Sequence, residues 1–256
     1  MRGFCPLASG SKGNAIYVGT DEKKILIDAG ISCKLLKERL SEIGVGLEEI
    51  DAVLVTHEHT DHIAGLSVLT ARYQIPIIAN VMTAREVAKT LKQPARFKFF
   101  TTGETFEFGD MEIHPFAISH DTVEPVAFTI TTESCKMGFC ADLGYASTSV
   151  VKQLKHCHYL YLEANHTPDL VHKVNRPQRY KERVLGQLGH LSNEACGRVL
   201  GEVGHTDLKH VHLAHLSSEC NTRAIAMEEV LNQLGGSAPF EISIAEQAKI
   251  SQKILF

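Results

Sequence analysis

The chain has 256 residues, of which 44% are hydrophobic and 22% are charged. We expect one large α/β domain over residues 1–256, although two small domains would also fit this length. No apolar run approaches the ~20 residues that a membrane-spanning helix needs, so a membrane protein is excluded. The 26 basic and 30 acidic residues give a formal net charge of −4, so any binding of nucleic acid must rely on a local basic surface.

The cysteines and the N-terminal sequence indicate the compartment. Seven cysteines are an odd number, and none has a C-x-x-C spacing, which argues against a disulfide framework and against a thiolate zinc site. The N-terminal segment lacks the apolar stretch of a secretory signal. We therefore expect a cytoplasmic protein with reduced thiols and no evident obligate protein partner. The sequence also contains 14 histidines, which is an unusually large number.

The first third of the chain alternates strand-like and helix-like segments. Short strands are predicted at 16–18 and 24–27, around a glycine-containing loop at 9–14 that could be an ordinary turn. An amphipathic helix is predicted at 33–43, a buried strand at 50–56 and another helix at 63–73. The segment His57-Glu58-His59-Thr60-Asp61-His62 therefore lies on a strand-to-helix turn.

This H-x-H-x-D-H segment is the strongest functional signal in the sequence. His57 and His59 share a face because side chains of an extended segment alternate with period two, so both can reach one metal ion. Asp61 and His62 begin the next helix and point in another direction, where they could hold a second ion. Asp61 could also simply cap the helix, but capping does not account for three histidines.

The rest of the chain continues the alternation. Further strands are predicted at 97–100, 105–108, 111–118, 126–131, 135–140, 159–163, 209–214, 240–244 and 249–255. Further helices are predicted at 81–91, 147–154 and 222–234, and from an N-cap at Ser192 or Asn193 through Val203. Residues 172–183 contain five Lys or Arg and one acid. This basic cluster is either a solvated face or a nucleic-acid contact.

Several chemically active residues directly follow strand-like runs. They are Asp28, His57 with His59, His120, Asp142, Glu163 and His215. Strand ends from distant parts of a sheet meet at one edge, where loops that carry function are expected. We therefore expect these side chains to supply one rigid site.

At these positions the chain resembles the metallo-β-lactamase-fold hydrolases. The matching motifs are Asp28 in D-A-G, the H-x-H-x-D-H segment, His120 in S-H-D, Asp142 in A-D-L-G and His215 in A-H-L-S. Residues 9–14, 163–166 and 189–193 look most like the YycJ/WalJ branch, which is described as bacterial exonucleases acting on duplex DNA. The resemblance implies an α/β fold, a four-layer αβ/βα sandwich with metals at one edge of two mixed sheets.

The resemblance also implies roles for individual residues. Seven ligands would bind two ions: His57, His59 and His120 the first, Asp61, His62 and His215 the second, with Asp142 bridging both. Asp28 would orient a ligand histidine by accepting its other ring N–H. His212, which is close to His215 in the sequence, and His190 could compete for a ligand position.

This ligand set indicates the metal and the reaction. Imidazoles and carboxylates without a thiolate suit two ions of Zn²⁺ or Mn²⁺, and the sequence does not choose between them. After two carboxylates and a bridging hydroxide are counted, a net positive charge remains, which favours an anionic substrate such as a phosphodiester. Two ions can activate water and stabilise both oxygens of an in-line displacement, and Asp61 could orient the hydroxide.

The departing oxygen needs a proton and the substrate needs contacts. By similarity to the tRNase Z and RNase J relatives, His190 held by Glu163 would donate the proton; otherwise His190 is a metal ligand or a surface residue. The helix that starts near Ser192 would point free N–H groups at a phosphate. The candidate substrate contacts are Asn14, Ser192, Asn193, Ser217, Ser218, Lys173, Arg176 and Arg179.

The leading hypothesis is a two-metal phosphodiesterase, and more specifically a 5′-to-3′ exonuclease whose partner is double-stranded DNA. An RNA-processing nuclease or a small ester or lactone hydrolase would use the same fold. A diiron oxidoreductase is disfavoured because related diiron folds carry glutamate where this chain has His59. A protein that only binds DNA through residues 172–183 is disfavoured by the apparently intact ligand set.

Overall fold

The computed structural model of the protein describes residues 1–256, with thirteen strands and nine α-helices. The strands are β1 (Gly3–Ala8), β2 (Ala15–Gly19), β3 (Lys24–Ile27), β4 (Ala52–Leu54), β5 (Ile77–Ala79), β6 (Phe97–Phe99), β7 (Phe106–Phe108), β8 (Met111–Ala117), β9 (Val126–Thr131), β10 (Lys136–Cys140), β11 (Tyr159–Glu163), β12 (His210–Ala214) and β13 (Glu241–Ile244). The helices are α1 (Cys33–Glu42), α2 (Thr60–Ile63), α3 (Leu66–Tyr73), α4 (Val81–Thr90), α5 (Thr148–Leu154), α6 (Pro168–Lys173), α7 (Gln178–Leu185), α8 (Asn193–Val203) and α9 (Arg223–Gln233).

The strands form two mixed sheets. The first sheet has the order β1-β2-β3-β4-β5-β6, and the second has the order β13-β12-β11-β10-β9-β8-β7. In the first sheet β3 to β6 are parallel and β1 to β3 are antiparallel. In the second sheet β10 to β13 are parallel and β7 to β10 are antiparallel. Each half of the chain therefore contributes one sheet with a parallel side and an antiparallel side.

The packing of apolar side chains defines four layers. Along β3, Ile25 and Ile27 belong to the core between the sheets, whereas Leu26 faces the opposite way and packs with α1 residues such as Leu36. This alternation with period two lets one strand serve two layers. On the second sheet, Leu213 and other outward residues pack with α5, α8 and α9. The predicted αβ/βα sandwich is therefore confirmed, while the prediction of a single domain stays a prediction.

Five helices begin at a residue whose side chain accepts a backbone N–H of the first turn, the usual N-cap arrangement. These residues are Ser32, Asn80, Ser147, Ser192 and Thr222. Of the two N-cap candidates for the helix that ends at Val203, Ser192 has this role, because its hydroxyl accepts from Ala195 N–H at 3.2 Å. None of the helices is long and apolar enough to cross a membrane. All seven cysteines are buried and unpaired.

The predicted strand at 249–255 is wrong. Only Ile254 pairs with β1, through an isolated bridge to Phe4 in which each residue donates its N–H to the other's carbonyl. The next pair along such a ladder would need the N–H of Pro6, which proline lacks. The carbonyl of Pro6 instead accepts the N–H of Ser251.

Four elements were not predicted: β1, β5, α6 and α7. Strand β5 has only three residues and follows Pro76, so its apolar pattern is too short to predict a strand. Helices α6 and α7 cover most of the basic segment 172–183 and bury few apolar side chains, chiefly Val171 and Val184. Their helical form depends on docking against the rest of the fold, which composition does not reveal.

His212 on β12 provides a pH-dependent contribution to stability. Its side chain is fully buried, and its Nε2–H donates to the carbonyl of Gln252 at 3.0 Å. Burial, together with neighbouring His210, lowers the pKa of His212 from 6.5 to about 3. Between these two values the unfolded chain binds more protons than the folded protein. The contribution of His212 to stability is therefore fully present above pH 6.5 and is lost as the pH drops towards 3.

We expect His212 to account for a loss of about 2 kcal/mol in unfolding free energy between pH 7 and pH 5. Urea unfolding of the metal-free protein and of His212→Gln at both pH values would measure it. Glutamine does not titrate, whereas the other histidines titrate in both proteins, so the difference between the two pH slopes isolates His212. Equal slopes would contradict the expectation.

Candidate metal centre

The strand ends bring the predicted ligands into one cluster. Four groups of side chains have their donor atoms within 4.8 Å of one another: His57, His59 and His120; His57, His62 and Asp142; Asp61, His62 and His215; Asp142, Glu163, His190 and His215. Members shared between the groups make the cluster continuous. All seven predicted ligands are included, and no ligand lies elsewhere in the fold.

Three of the strand-end residues adopt a left-handed backbone conformation. Asp28 has φ 61°, Asp142 has φ 57° and His215 has φ 54°, and each follows a buried strand: β3, β10 and β12. Positive φ is uncommon for residues other than glycine. Such conformations cluster at functional sites, where the surrounding structure supports them. Here they turn each side chain into the common cluster as its strand ends.

The H-x-H-x-D-H segment lies between β4 and α3, as predicted, and is supported by the opening loop. The carbonyl of Asp61 accepts the N–H of Asn14 at 2.7 Å. A Cβ at Gly30 would approach the same carbonyl to 1.6 Å, so only glycine allows this packing. The loop at residues 9–14 is therefore more than an ordinary turn, because it fixes the backbone that carries Asp61 and His62.

Hydrogen bonds set the orientation of the rings of His57 and His62. The carboxylate of Asp28 accepts His62 Nδ1–H at 2.7 Å and the Thr56 hydroxyl at 2.8 Å. The Thr56 oxygen in turn accepts His57 Nδ1–H at 2.9 Å. Both rings thus present Nε2 to the cluster, which is the nitrogen a metal would use; Nε2 of His57 has no hydrogen-bond partner, whereas Nε2 of His62 lies 3.0 Å from the Asn14 amide. Asp28 has the geometry predicted for it, whereas Thr56 gave no sequence signal.

Three buried atoms test whether cations fit this cluster. His57 Nε2, Asp142 Oδ2 and His215 Nε2 are buried and lack a hydrogen-bond partner. A buried polar atom left unpaired costs about 1–3 kcal/mol, so three in one cluster call for a ligand. Imidazole nitrogen and carboxylate oxygen without thiolate are donors suited to divalent ions such as Zn²⁺ or Mn²⁺. The residues present therefore fit divalent metal ions.

The charge states of the cluster residues are set by burial and by one another. Burial and the neighbouring imidazoles, His62 foremost, hold the pKa of His57 well below its usual range, so this ring is neutral. Burial opposes ionisation of Asp142, but His215 and His62 outweigh it and hold the pKa of that carboxyl well below its usual range. Burial likewise disfavours a charged His215, yet Asp142, Asp61 and Glu163 raise its pKa to about 10. The bound cation therefore competes with a proton on His215.

Glu163 connects two histidines at the back of the cluster. This carboxylate is fully buried; one oxygen accepts Nδ1–H of His190 at 2.9 Å and Nδ1–H of His215 at 2.9 Å. The other oxygen accepts the backbone N–H groups of Leu143 and Leu191. Although burial disfavours the charge, His190 and His215 lower the pKa of Glu163 to about 2. Because Glu163 binds Nδ1 of His190, Nε2 of that ring has no hydrogen-bond partner in the protein. His190 also lines a cavity.

The rival position His212 does not reach the cluster. It lies within β12, next to Phe4 on another face of the fold, and its Nε2–H is used by the carbonyl of Gln252. His215 lies one residue beyond the end of the strand. Being three residues apart, the two histidines would point to opposite faces of an extended strand, and the left-handed conformation of His215 also turns the chain where β12 ends.

Several of the candidate substrate contacts have their side chains used within the protein, including Arg176, which pairs with Glu219, and Asn193 is the clear correction. The Asn193 side chain is completely buried and donates to Asn221, Glu229 and Thr167, so it does not face the site. It is the first residue of α8 and points between helices. Asn14 is also buried, with its amide 3.0 Å from His62 Nε2, so it borders the cluster rather than the surface.

Other candidates line or flank a cavity of about 470 Å³ beside the cluster. Its lining includes Ser217, Ser218 and Arg176 together with Lys12 and Arg183, which were not singled out in the sequence. His190 lines the same space. Two further candidates, Lys173 on α6 and Arg179 on α7, are exposed on the same basic segment but do not line the cavity, and Ser192 caps α8.

The chain was compared with known proteins. Residues 8–177 match the family model of the metallo-beta-lactamase superfamily. The chain is 36% identical to exodeoxyribonuclease YycJ of Bacillus anthracis over 91% of this chain and 90% of that protein. It is 37% identical to exodeoxyribonuclease WalJ of Streptococcus pneumoniae over 89% and 86%. The metallo-beta-lactamase fold protein YhfI from Bacillus subtilis has the same fold, with a TM-score of 0.75 at 19% identity over 97% of this chain and 98% of that one.

The four-layer fold, the strand-end cluster of imidazoles and carboxylates and these relatives define a metal-dependent hydrolase. Its donor groups are compatible with divalent metal ions. The chain belongs to the metallo-beta-lactamase superfamily.

Proposed function

We propose that the protein is a two-metal nuclease that removes nucleotides from the 5′ end of double-stranded DNA. The observation that carries the proposal is the juxtaposition of the seven-ligand cluster with a cavity whose lining carries basic and hydroxyl side chains and one acid, Glu219. A phosphodiester is anionic and matches both features. The two relatives at 36% and 37% identity are named exodeoxyribonucleases, which supports DNA as the substrate class.

The proposed ligand assignment follows the groups of nearby donor atoms. The first ion would be held by His57, His59 and His120, the second by Asp61, His62 and His215, with Asp142 between them. Bound divalent ions supply an activated water and stabilise the charge that develops on the phosphate oxygens. Asp28 and Thr56 keep the ligand rings in their binding tautomers.

His190 is proposed to deliver a proton to the departing sugar oxygen. Its Nδ1–H is held by the Glu163 carboxylate at 2.9 Å, which fixes the ring. His190 lines the cavity, and its Nε2 would deliver the proton to the leaving group there. A positioned acid of this kind contributes about 10²- to 10⁴-fold to a rate.

The cavity is proposed to hold the phosphate backbone next to the bond that breaks. Lys12 would supply positive charge, and Ser217 and Ser218 would supply hydroxyl donors. The guanidinium groups of Arg176 and Arg183 also line the cavity, where they are paired with Glu219 and Asp121. Contacts of this kind bind phosphates without reading base sequence, and their affinity falls as salt rises. That behaviour suits an exonuclease, which must act on every sequence it meets. Lys173 and Arg179 would extend the basic surface along α6 and α7.

The test is a comparison of substrates with the purified protein in Mn²⁺ or Zn²⁺. One duplex carries a label at its 5′ ends and an otherwise identical duplex carries the label at its 3′ ends; RNA of the same sequence and a small nitrophenyl ester complete the set. We expect labelled mononucleotide as the first product of the 5′-labelled duplex and gradually shortened fragments from the 3′-labelled one. Metal analysis should give two ions per chain.

Asp61→Ala and an excess of chelator are the controls for contaminating nucleases, and both should remove the activity. Faster hydrolysis of RNA or of the ester would replace the proposed substrate, and mononucleotide release from the 3′ end would reverse the polarity. Undiminished cleavage by a folded Asp61→Ala protein would refute the mechanism.

A further inference from the structure

Asp121 follows the predicted ligand His120 and lies against two imidazoles of the cluster. Its Oδ1 is 3.8 Å from Nε2 of His59 and 3.5 Å from Nε2 of His120. On the other side, Asp121 accepts two hydrogen bonds from Arg183 of α7, at 2.6 Å from Nε and 3.0 Å from Nη2. A chain of contacts therefore runs from the basic helix to the cluster.

The need for Asp121 becomes clear when the five predicted ligand histidines are compared. Four of them have a hydrogen-bond acceptor on the ring nitrogen that faces away from the cluster: Thr56 for His57, Asp28 for His62, the Gly189 carbonyl for His120 and Glu163 for His215. Such partners fix the tautomer and orientation of a metal-binding ring. His59 has no acceptor of this kind within hydrogen-bond distance.

His59 uses the opposite nitrogen from the other four. Its Nδ1 lies on the cluster side, 3.3 Å from Nε2 of His120, and its Nε2 lies on the side of Asp121. A carboxylate at 3.8 Å acts by its charge rather than as a hydrogen-bond acceptor. That charge lies on the Nε2 side of the ring, opposite the Nδ1 that faces the cluster.

Arg183 gives this carboxylate a fixed position. The planar guanidinium binds a carboxylate through two parallel N–H groups, a geometry that lysine cannot reproduce. The chain that follows α7 reaches Gly189, whose carbonyl accepts Nδ1–H of His120 at 3.1 Å. A Cβ at Gly189 would meet the Arg183 carbonyl at 2.1 Å, so this segment is tightly packed. The end of α7 thus supports both His59 and His120.

We propose that Asp121 is a positioning residue for His59 and that Arg183 holds Asp121 in place, so that α7 is part of the first metal site. The inference rests on the proposed ligand assignment. It gives the basic segment a role beyond contact with nucleic acid, because one of its arginines acts on the metal site directly. Arg183 also lines the cavity, so the same side chain borders both the substrate space and the support of His59.

The experiment measures metal binding rather than cleavage. Metal-free wild type, Asp121→Ala, Arg183→Gln and Arg183→Lys are titrated with Zn²⁺ against a chromogenic chelator, and their Co²⁺ complexes are recorded by visible absorption. Arg179→Gln is the matched control, because Arg179 lies on the same helix and makes no side-chain hydrogen bond or salt bridge. Thermal unfolding of the metal-free proteins verifies that each is folded.

We expect Asp121→Ala to lower the affinity for one of the two Zn²⁺ ions by about 10- to 100-fold. The affinity for the other ion should stay unchanged, and the Co²⁺ spectrum should change. Arg183→Gln should lower the affinity for the same ion by a smaller factor, and Arg183→Lys should recover part of that loss. Arg179→Gln should bind both ions as wild type does. Wild-type Zn²⁺ affinity in folded Asp121→Ala and Arg183→Gln would overturn the proposal, and so would a wild-type protein that binds no ion. A wild type that binds two ions but leaves DNA intact would refute the proposed function alone.

Discussion

Asp142→Asn is expected to reduce phosphodiester cleavage by on the order of 10³-fold, because two-metal stabilisation of a displacement amounts to several kcal/mol. The carboxylate is buried, with Oδ2 3.1 Å from Nε2 of His62 and Oδ1 3.2 Å from Nδ1 of His215. It shares a group of nearby donor atoms with His57 of the first proposed site and with His62 and His215 of the second. Asparagine keeps its shape but removes the negative charge that would hold two cations close together.

The measurement combines metal content with cleavage rate. Metal analysis of Asp142→Asn should give fewer than two tightly bound ions per chain, and the residual cleavage should not recover at moderate metal concentrations. Asp207→Asn is a suitable control, because Asp207 is exposed in the turn before β12, at the opposite end of that strand from His215. A folded Asp142→Asn protein that binds two ions and cleaves DNA at the wild-type rate would contradict the bridging role.

His190→Ala is expected to lower DNA cleavage by about 10²- to 10⁴-fold while both ions stay bound. The imidazole is oriented by Glu163 and is only 12% exposed, so no water-accessible group of the described protein replaces it at the same place. This variant separates the three roles that the sequence left open. A proton donor loses rate alone, a metal ligand loses an ion as well, and a surface histidine loses neither.

A second substrate makes this prediction sharper. In a nucleotide ester of nitrophenol, the nitrophenolate group leaves without help from an acid. His190→Ala should therefore cleave this substrate at nearly the wild-type rate. The ratio of the two losses then reports proton donation specifically, because damage to the metal centre would slow both substrates. An equal loss on DNA and on the activated ester would count against His190 as the acid.

The site was largely predictable because its ligands carry local signals. The H-x-H-x-D-H segment has a spacing that few other constraints produce, and Asp28, His120, Asp142 and His215 each follow an apolar strand. Their convergence is a consequence of sheet geometry, since strand ends meet at one edge. Thr56 and Asp121 had no such signal, because a threonine or aspartate at a strand end is common in any fold. Only their distances to the ligand histidines reveal them.

The substrate surface shows where local patterns fail. Asn193 stands at a helix start and looks available to a phosphate, but its side chain points into the protein and is completely buried. Lys12 and Arg183, by contrast, are ordinary basic residues in the sequence and become neighbours in the cavity only through folding. The sum of charge in residues 172–183 does not show that Arg176 and Arg183 line the cavity while each is paired with an acid, Glu219 and Asp121.

The sequence by itself determined most of the alternation of strands and helices and the positions of the predicted ligands after strand-like runs, because periodic apolar patterns and short motifs are local properties. The four-layer class and the proposed ligand assignment came from the resemblance of those motifs to the metallo-β-lactamase-fold hydrolases. Only the tertiary structure decided which ring nitrogen each histidine presents, which side chains orient those rings and which basic residues border the cavity. Those features depend on contacts between segments far apart in the chain, such as Asp121 with Arg183 and Glu163 with His215. No local pattern encodes such contacts, since each partner would be equally compatible with its own segment if the other were absent.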